Sequence, residues 1–214
     1  MNRVWMIGGS GLVGRGVAKR LRARTDVALE LFGRRDSGAP DETVIDFDEL
    51  PAGLPTTGCN IAISCLGSTI KKAGSWDEFA RVDTGYVTGF AAAAGLAGAR
   101  HFIHVGSVGA DVGSLNRYLA MKGQTEEWLR ALGFERLDIV QPGLLLGDRG
   151  EFRLGERIGT IATPALSPLL VGGARKYRGV NADAVSRAIT TLVGFGEAGT
   201  FWHRNPEIEA LDPS

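Results

Sequence analysis

Short apolar runs alternate along this chain with longer segments whose apolar positions recur every three or four residues. Val4–Ile7 is the first such run and predicts a strand. In the segment Leu12–Arg24 that follows, Val13, Val17 and Leu21 fall on one face of a helix. Val27–Phe32, Thr43–Phe47 and Ile61–Leu66 predict strands two to four, and the unbroken Ile61–Leu66 run is of the kind buried on both faces of a sheet. Phe79, Val82, Tyr86 and Phe90 recur at helical spacing and predict a helix that continues through an alanine-rich stretch to Ala97. His101–Val105 predicts strand five, Leu115–Leu132 a helix, and Leu137–Val140 strand six. Strand and helix in this rhythm give an α/β fold, a doubly wound parallel sheet of the Rossmann type with helices on both faces.

The rhythm weakens after Pro142. Gly147–Gly179 is rich in Gly, Arg and Pro and yields no firm element, whereas Ala182–Val193 reads as a helix with Val185, Ala188, Ile189 and Leu192 on one face. Gly199–His203 fits an edge strand. Residues 1–214 therefore read as a single nucleotide-binding domain, with an irregular, small C-terminal substrate-side lobe at 144–180. The polar stretches Asp36–Asp41 and Leu50–Gly58 are too short for domain linkers.

Composition narrows the function classes. Lys plus Arg and Asp plus Glu number 24 each, a balance that argues against nucleic acid or an anionic membrane as partner. No window reaches the length of a membrane span, and glycines follow the N-terminal apolar run where a cleavage site would stand, so a cytoplasmic location is expected. Cys59 and Cys65 bracket the fourth strand run and predict no disulfide framework. The three histidines show no metal-ligand spacing, so no metal is expected. His101 and His104, three apart on one strand, face opposite sides and read as core or edge residues. Trp76, Trp128 and Trp202 read as packing anchors.

The loop Gly8-Gly9-Ser10-Gly11-Leu12-Val13-Gly14 stands directly between the first strand and first helix. Gly8 and Gly11 let the backbone approach a pyrophosphate, Gly14 permits close helix–strand packing, and the helix N-terminus offers unpaired N–H donors. A nicotinamide dinucleotide is the ligand this junction implies. Sheets that prefer the unphosphorylated form carry an acid at the end of strand two. Here that end reads Leu31-Phe32-Gly33-Arg34-Arg35, and the two guanidiniums suit the 2′-phosphate of NADP (NADPH). Asp46-Phe47 falls where the adenine would lie, and Asp46 either accepts from the adenine amino group or caps a strand end.

Tyr118 and Lys122 are one helical turn apart, and Ser107 lies eleven residues before Tyr118. Tyr118 can pass a proton to or from a substrate oxygen, Lys122 should lower the phenol pKa, and Ser107 can hold a carbonyl oxygen. Arg149, Arg153 and Arg157 recur at four. They either line a substrate mouth or form a solvated face with Glu151 and Glu156.

With these residues in place the chain resembles the short-chain dehydrogenase/reductase superfamily. The matching pieces are Gly8–Gly14, the Cys65-Leu66-Gly67 turn, Val82-Asp83, Ser107, Tyr118/Lys122, Gln141-Pro142-Gly143 and Val180–Val185. The stretches Leu31–Arg35, Val44–Phe47, Ser64–Thr69, Lys72–Gly74, Arg81–Asp83, Gly109–Asp111, Tyr118–Gly123 and Pro142–Gly147 are most similar to the Tat-interacting-protein branch of atypical members. The resemblance implies an NADPH-binding domain in which Tyr118 is the acid/base. Lys122 would bind the nicotinamide ribose and Ser107 would orient a small carbonyl substrate. The nicotinamide would lie near Cys65, Leu66, Gly67, Ser107 and Pro142. It also makes a homodimer through the Leu115–Leu132 helix plausible by analogy. Two positions depart from the pattern. Asp83 stands where many members carry asparagine and can pair with Lys122, and Gln141 stands where arginine is frequent. The short segment after Pro142 counts against a sugar-nucleotide substrate. Two other functions fit the same residues: a cofactor-sensing regulator with little turnover, which Asp83 favours, and an epimerase that uses bound cofactor as a transient hydride store.

Overall fold

The computed structural model describes residues 1–36, 38–146, 172–194 and 196–212. Seven strands form one sheet: β1 (Asn2–Ile7), β2 (Val27–Gly33), β3 (Glu42–Val44), β4 (Ile61–Ser64), β5 (His101–Val105), β6 (Arg136–Val140) and β9 (Gly199–His203). Their order is β3-β2-β1-β4-β5-β6-β9, and every neighbouring pair is parallel. The helices are α1 (Leu12–Arg22), α2 (Ile70–Ala73), α3 (Trp76–Ala80), α4 (Val87–Leu96), α5 (Arg117–Ala131), α6 (Ala182–Leu192) and α7 (Asn205–Leu211). A separate parallel pair, β7 (Leu144–Leu146) with β8 (Gly179–Asn181), flanks residues 147–171 in sequence. The expected irregular segment lies largely outside the described residues, as do Arg149, Glu151, Arg153, Glu156 and Arg157.

The sheet separates two apolar layers. On one face Val4, Met6, Ile63 and Ile103 pack against Val13, Val17 and Leu21 of α1 and Val185, Ile189 and Leu192 of α6. On the other, Trp5, Phe32, Phe102 and Ile139 pack against Phe90, Ala94 and Leu129. Strand order turns back beside β1, which lies between β2 and β4. The carboxyl ends of β1 and β4 therefore open the crevice where α/β sheets bind ligands.

Four sequence expectations change. Strand three stops at Val44, because the Asp46 side chain accepts from Asp48 N at 2.9 Å and caps a 3₁₀ turn, Phe47–Glu49. The helix expected from Phe79 to Ala97 contains a π turn, Arg81–Tyr86, whose extra residue turns Asp83 and Tyr86 inward. Helix α5 starts at Arg117, two residues after fully exposed Leu115, because Asn116 accepts from Tyr118 N and Leu119 N. Trp128 and Trp202 are exposed by 56% and 38%, so they do not anchor the core; Trp5, at 2%, does.

Candidate active site

The phosphate end of the crevice is built from backbone. Gly8 has φ 80°, and a Cβ there would lie 2.4 Å from the Cys65 carbonyl carbon, so the β1 and β4 ends touch only because the side chain is absent. A Cβ on Gly14 would lie 2.1 Å from the Gly8 carbonyl oxygen, which seats the first turn of α1 on the loop. Gly11 caps α1 without a side-chain bond, and the first turn holds no acidic residue. Its N–H donors and the positive end of the helix dipole thus remain for an anion. Ser10 is exposed, Leu12 half-buried and Val13 buried, and Arg15 Nη1 donates to the Ser10 carbonyl at 3.1 Å. This cradle fits a dinucleotide pyrophosphate.

Arg34 and Arg35 follow β2 directly and are exposed. Neither has a carboxylate partner among the described residues, whereas Arg20, Arg22, Arg24 and Arg81 are ion-paired. The Arg34 Cζ lies 5.9 Å from the Tyr86 ring centroid, and the Arg81 Cζ lies 5.7 Å from it. Tyr86 donates to Asp48 Oδ1 at 2.7 Å, and buried Phe47 meets its ring edge-on at 5.4 Å. Asp46 is exposed at this end, with one carboxylate oxygen on Asp48 N. One acid here was not read from the sequence. Glu42 Oε1 would stand 2.4 Å from a Cβ on Gly33, so β3 supplies a carboxylate beside the end of β2. Its only signal is the β2–β3 register, which pairs Leu31 with Glu42.

At the other end, Ser107 (1% exposed) sits two residues beyond β5, and Tyr118 lies in the first turn of α5 with its ring 5.4 Å from that of Phe79. Lys122, one turn on and 4% exposed, places Nζ 2.5 Å from Asp83 Oδ1. Ser68 N donates to Asp83 Oδ2 at 2.7 Å. A Cβ on Gly67 would lie 3.6 Å from Asp83 Oδ1 and 3.7 Å from Lys122 Nζ, so the turn after β4 rests on this ion pair. The Pro142 carbonyl accepts from Val108 N at 3.2 Å and ties the β6 turn to Ser107. Leu66 and Cys65 are half-buried, and burial pushes the Cys65 thiol up to about 12. Cys59 is also a free thiol.

Burial disfavours the Lys122 ammonium, but Asp83 reverses the effect and holds it above its usual range. Burial raises the Tyr118 phenol. Lys122 and the nearby Ser107 hydroxyl pull it down, while Asp83 pushes it up. Lys122 depresses the phenol as expected, but the net shift is upward, because burial outweighs the lysine charge and Asp83 adds to the rise.

Two buried polar groups escaped the sequence reading. Asp138 accepts from His101 Nε2 and His203 Nε2, each at 2.6 Å, and from Arg136 at 2.5 and 2.9 Å. Hydrogen bonds from His101, His203 and Arg136 outweigh burial and hold its carboxyl far below the usual range. Glu126 lies behind Ser107 with Gln141. His104, on the opposite face from His101, is fully buried.

No protein-family model matches the chain. Protein HTATIP2 from Rattus norvegicus is 37% identical over 162 residues, which cover 72% of this chain and 66% of that protein. The mitochondrial protein fmp52 from Emericella nidulans is 34% identical over 218 residues, covering 94% of this chain and 93% of its own. The oxidoreductase ylbE from Lactococcus lactis shares the fold, with a TM-score of 0.67 at 19% identity over 98% of this chain and 96% of that one. No described helix is long and apolar enough to cross a membrane.

Proposed function

The chain belongs to the atypical short-chain dehydrogenase/reductases, in the branch of HTATIP2 and the FMP52 proteins, and on that premise we propose that it is an NADPH-dependent oxidoreductase. It would transfer hydride reversibly to the carbonyl carbon of a small molecule. The observation that carries this reading is the grouping, at the crevice beside the glycine cradle, of buried Ser107 after β5 with Tyr118 and Lys122 on α5, Lys122 Nζ lying 6.0 Å from the Tyr118 ring centroid.

The bound dinucleotide would supply the hydride. The Gly8–Gly14 backbone and the α1 N-terminus would hold its pyrophosphate, and Arg34 and Arg35 its 2′-phosphate. Lys122 has N–H donors beyond the one on Asp83, and these can bond the nicotinamide ribose. Ser107 would orient the carbonyl oxygen. With its pKa raised, Tyr118 is protonated at neutral pH and is a proton donor to the oxygen that gains charge during reduction. The reverse reaction needs the phenolate, so oxidation should gain on reduction as pH rises. The proposed setting is the cytoplasm, on the sequence grounds above; the mitochondrial label belongs to the FMP52 proteins. Trp128 and Leu132, exposed on and just after α5, support a homodimer through that helix.

The test is a panel of aldehydes, ketones and quinones followed at the NADPH absorbance, with parent protein and Tyr118→Phe. The variant keeps the ring packing and should lose about 10²–10⁴ in rate while still binding NADPH. Equal rates would remove Tyr118 from the mechanism. Tight NADPH binding without turnover would favour a cofactor sensor, a reading the Asp83–Lys122 contact supports. Turnover without net cofactor consumption would favour an epimerase.

A further inference from the structure

Helix α5 carries a third ionisable group on the stripe of Tyr118 and Lys122. Glu126 lies one turn beyond Lys122 and is 5% exposed. Its Oε1 stands over Gly106, the residue before Ser107, and a Cβ on Gly106 would come within 2.6 Å of it. Gln141 Nε2 donates to both carboxyl oxygens, at 3.0 and 2.9 Å, and Trp202 Nε1 approaches Oε2 at 3.4 Å. These donors are all neutral. Among the described residues Glu126 has no ion-pair partner, in contrast to Asp138 with its arginine and two histidines.

Gln141 extends the contact in two directions. Its Oε1 accepts from Arg204 Nε at 3.3 Å, which leads to the exposed rim at Trp202 and Arg204. The next residue, Pro142, accepts from Val108 N at 3.2 Å. Glu126 and Gln141 thus brace the two turns, after β5 and after β6, that hold Ser107.

A buried carboxyl met only by neutral donors keeps its proton more tightly than one in water. Burial lifts Glu126 to about 7, and the hydrogen bonds from Gln141 and Trp202 and the charges of Lys122 and Arg204 offset only part of that rise. The groups facing it are Lys122 on its own helix, His104 on β5, Gln141 just after β6, Trp202 on β9 and Arg204 beyond it, with Asp83 on the far side of Lys122. His104 cannot neutralise it. Burial and Lys122 push that imidazole down to about 3, and both its ring nitrogens lack a partner among the described residues.

We infer that Glu126 is a positioning residue for the Ser107 turn, a carboxyl that exchanges a proton with solvent at neutral pH and passes its change of charge to Lys122. The inference rests on the catalytic reading of Ser107 and Lys122, but the titration itself does not. Infrared spectroscopy of the intact protein should show a protonated-carboxyl band that disappears at about pH 7. Glu126→Gln should lack that band at every pH. Gln141→Arg puts a cation on the carboxyl and should move the midpoint down by at least about one pH unit. NADPH affinity, followed by fluorescence over the same range, should inflect with the band in the parent and run flat in Glu126→Gln. A band that survives Glu126→Gln overturns the inference, and so do affinity profiles that superimpose. Should Glu126→Gln fail to fold, Gln141→Arg decides: an unmoved midpoint overturns the inference and a lowered one supports it. Failure of the parent to bind NADPH would sink the proposed cofactor, and the infrared titration would still decide whether Glu126 holds the proton.

Discussion

At the proposed phosphate end of the crevice the groups available to a ligand are backbone N–H donors of the Gly8–Gly14 loop and exposed guanidiniums without carboxylate partners among the described residues. At the proposed catalytic end they are buried side chains already bound to one another, Lys122 to Asp83 and Glu126 to Gln141. The first end is shaped by what is missing, since a Cβ at Gly8 or Gly14 would strike backbone. The second is shaped by charges taken out of water. A change at the first should act locally, whereas a change at the second should alter the protonation of its neighbours, because interacting charges in a low-dielectric site are not independent.

The largest effect should come from Gly11→Val. Gly11 is the N-cap of α1, and a Cβ there already stands 3.2 Å from the Gly8 carbonyl oxygen. A branched side chain would fill the space the pyrophosphate needs. NADPH binding should disappear in a calorimetric titration, while circular dichroism shows the fold retained. Undiminished affinity would place the cofactor elsewhere and end the contrast between the two regions.

Next in size is Asp83→Asn. The aspartate uses one oxygen for Lys122 and the other for Ser68 N, and an amide has only one oxygen to offer. Leaving the buried ammonium without its counter-charge should cost about 3 kcal/mol of stability, read by denaturant unfolding. Loss of the neighbouring negative charge also lowers the Tyr118 phenol, because Asp83 is one of the groups that raise it. The pH profile of substrate oxidation should therefore move to lower pH, with catalysis kept or raised. Unchanged stability together with an unchanged profile would show that the catalytic end is no more coupled than the phosphate end.

What the sequence made legible follows the same division. The glycine loop is a contiguous strand–helix junction, and Tyr118 and Lys122 share one helix, so local spacing sufficed for both. The pairing of Asp83 with Lys122 could be named as an option, but the π turn that delivers it could not, since one extra residue in a turn leaves no mark on the apolar pattern. Glu126 depends on Gln141, 15 residues away, and on Trp202, 76 away, and Asp138 on His203, 65 away. Those contacts exist only once α5, β6 and β9 come together. Strand three came out too long because Ile45 and Phe47 continue the apolar alternation, while the Asp46 cap that ends it is a side-chain contact.

The smallest expected effect belongs to Arg34→Ala, and it tests the phosphate end against a rival within the structure itself. Arg34 is exposed and rests on the Tyr86 ring, so removing it should leave stability nearly unchanged. A guanidinium–phosphate contact is worth about 1.5–3 kcal/mol, and exposure to solvent places this one at the lower end, roughly a tenfold loss of NADPH affinity. NADH has no 2′-phosphate, so its affinity should be unaffected. Glu42 argues the other way, because a carboxylate beside Gly33 is placed to accept from a ribose 2′-hydroxyl and to repel a phosphate. Calorimetry with both cofactors on parent and variant weighs the two groups. A parent that prefers NADPH and a variant that loses that preference put the arginines in control. A parent that prefers NADH, unchanged by the substitution, would give the pocket to Glu42 and make NADH the cofactor.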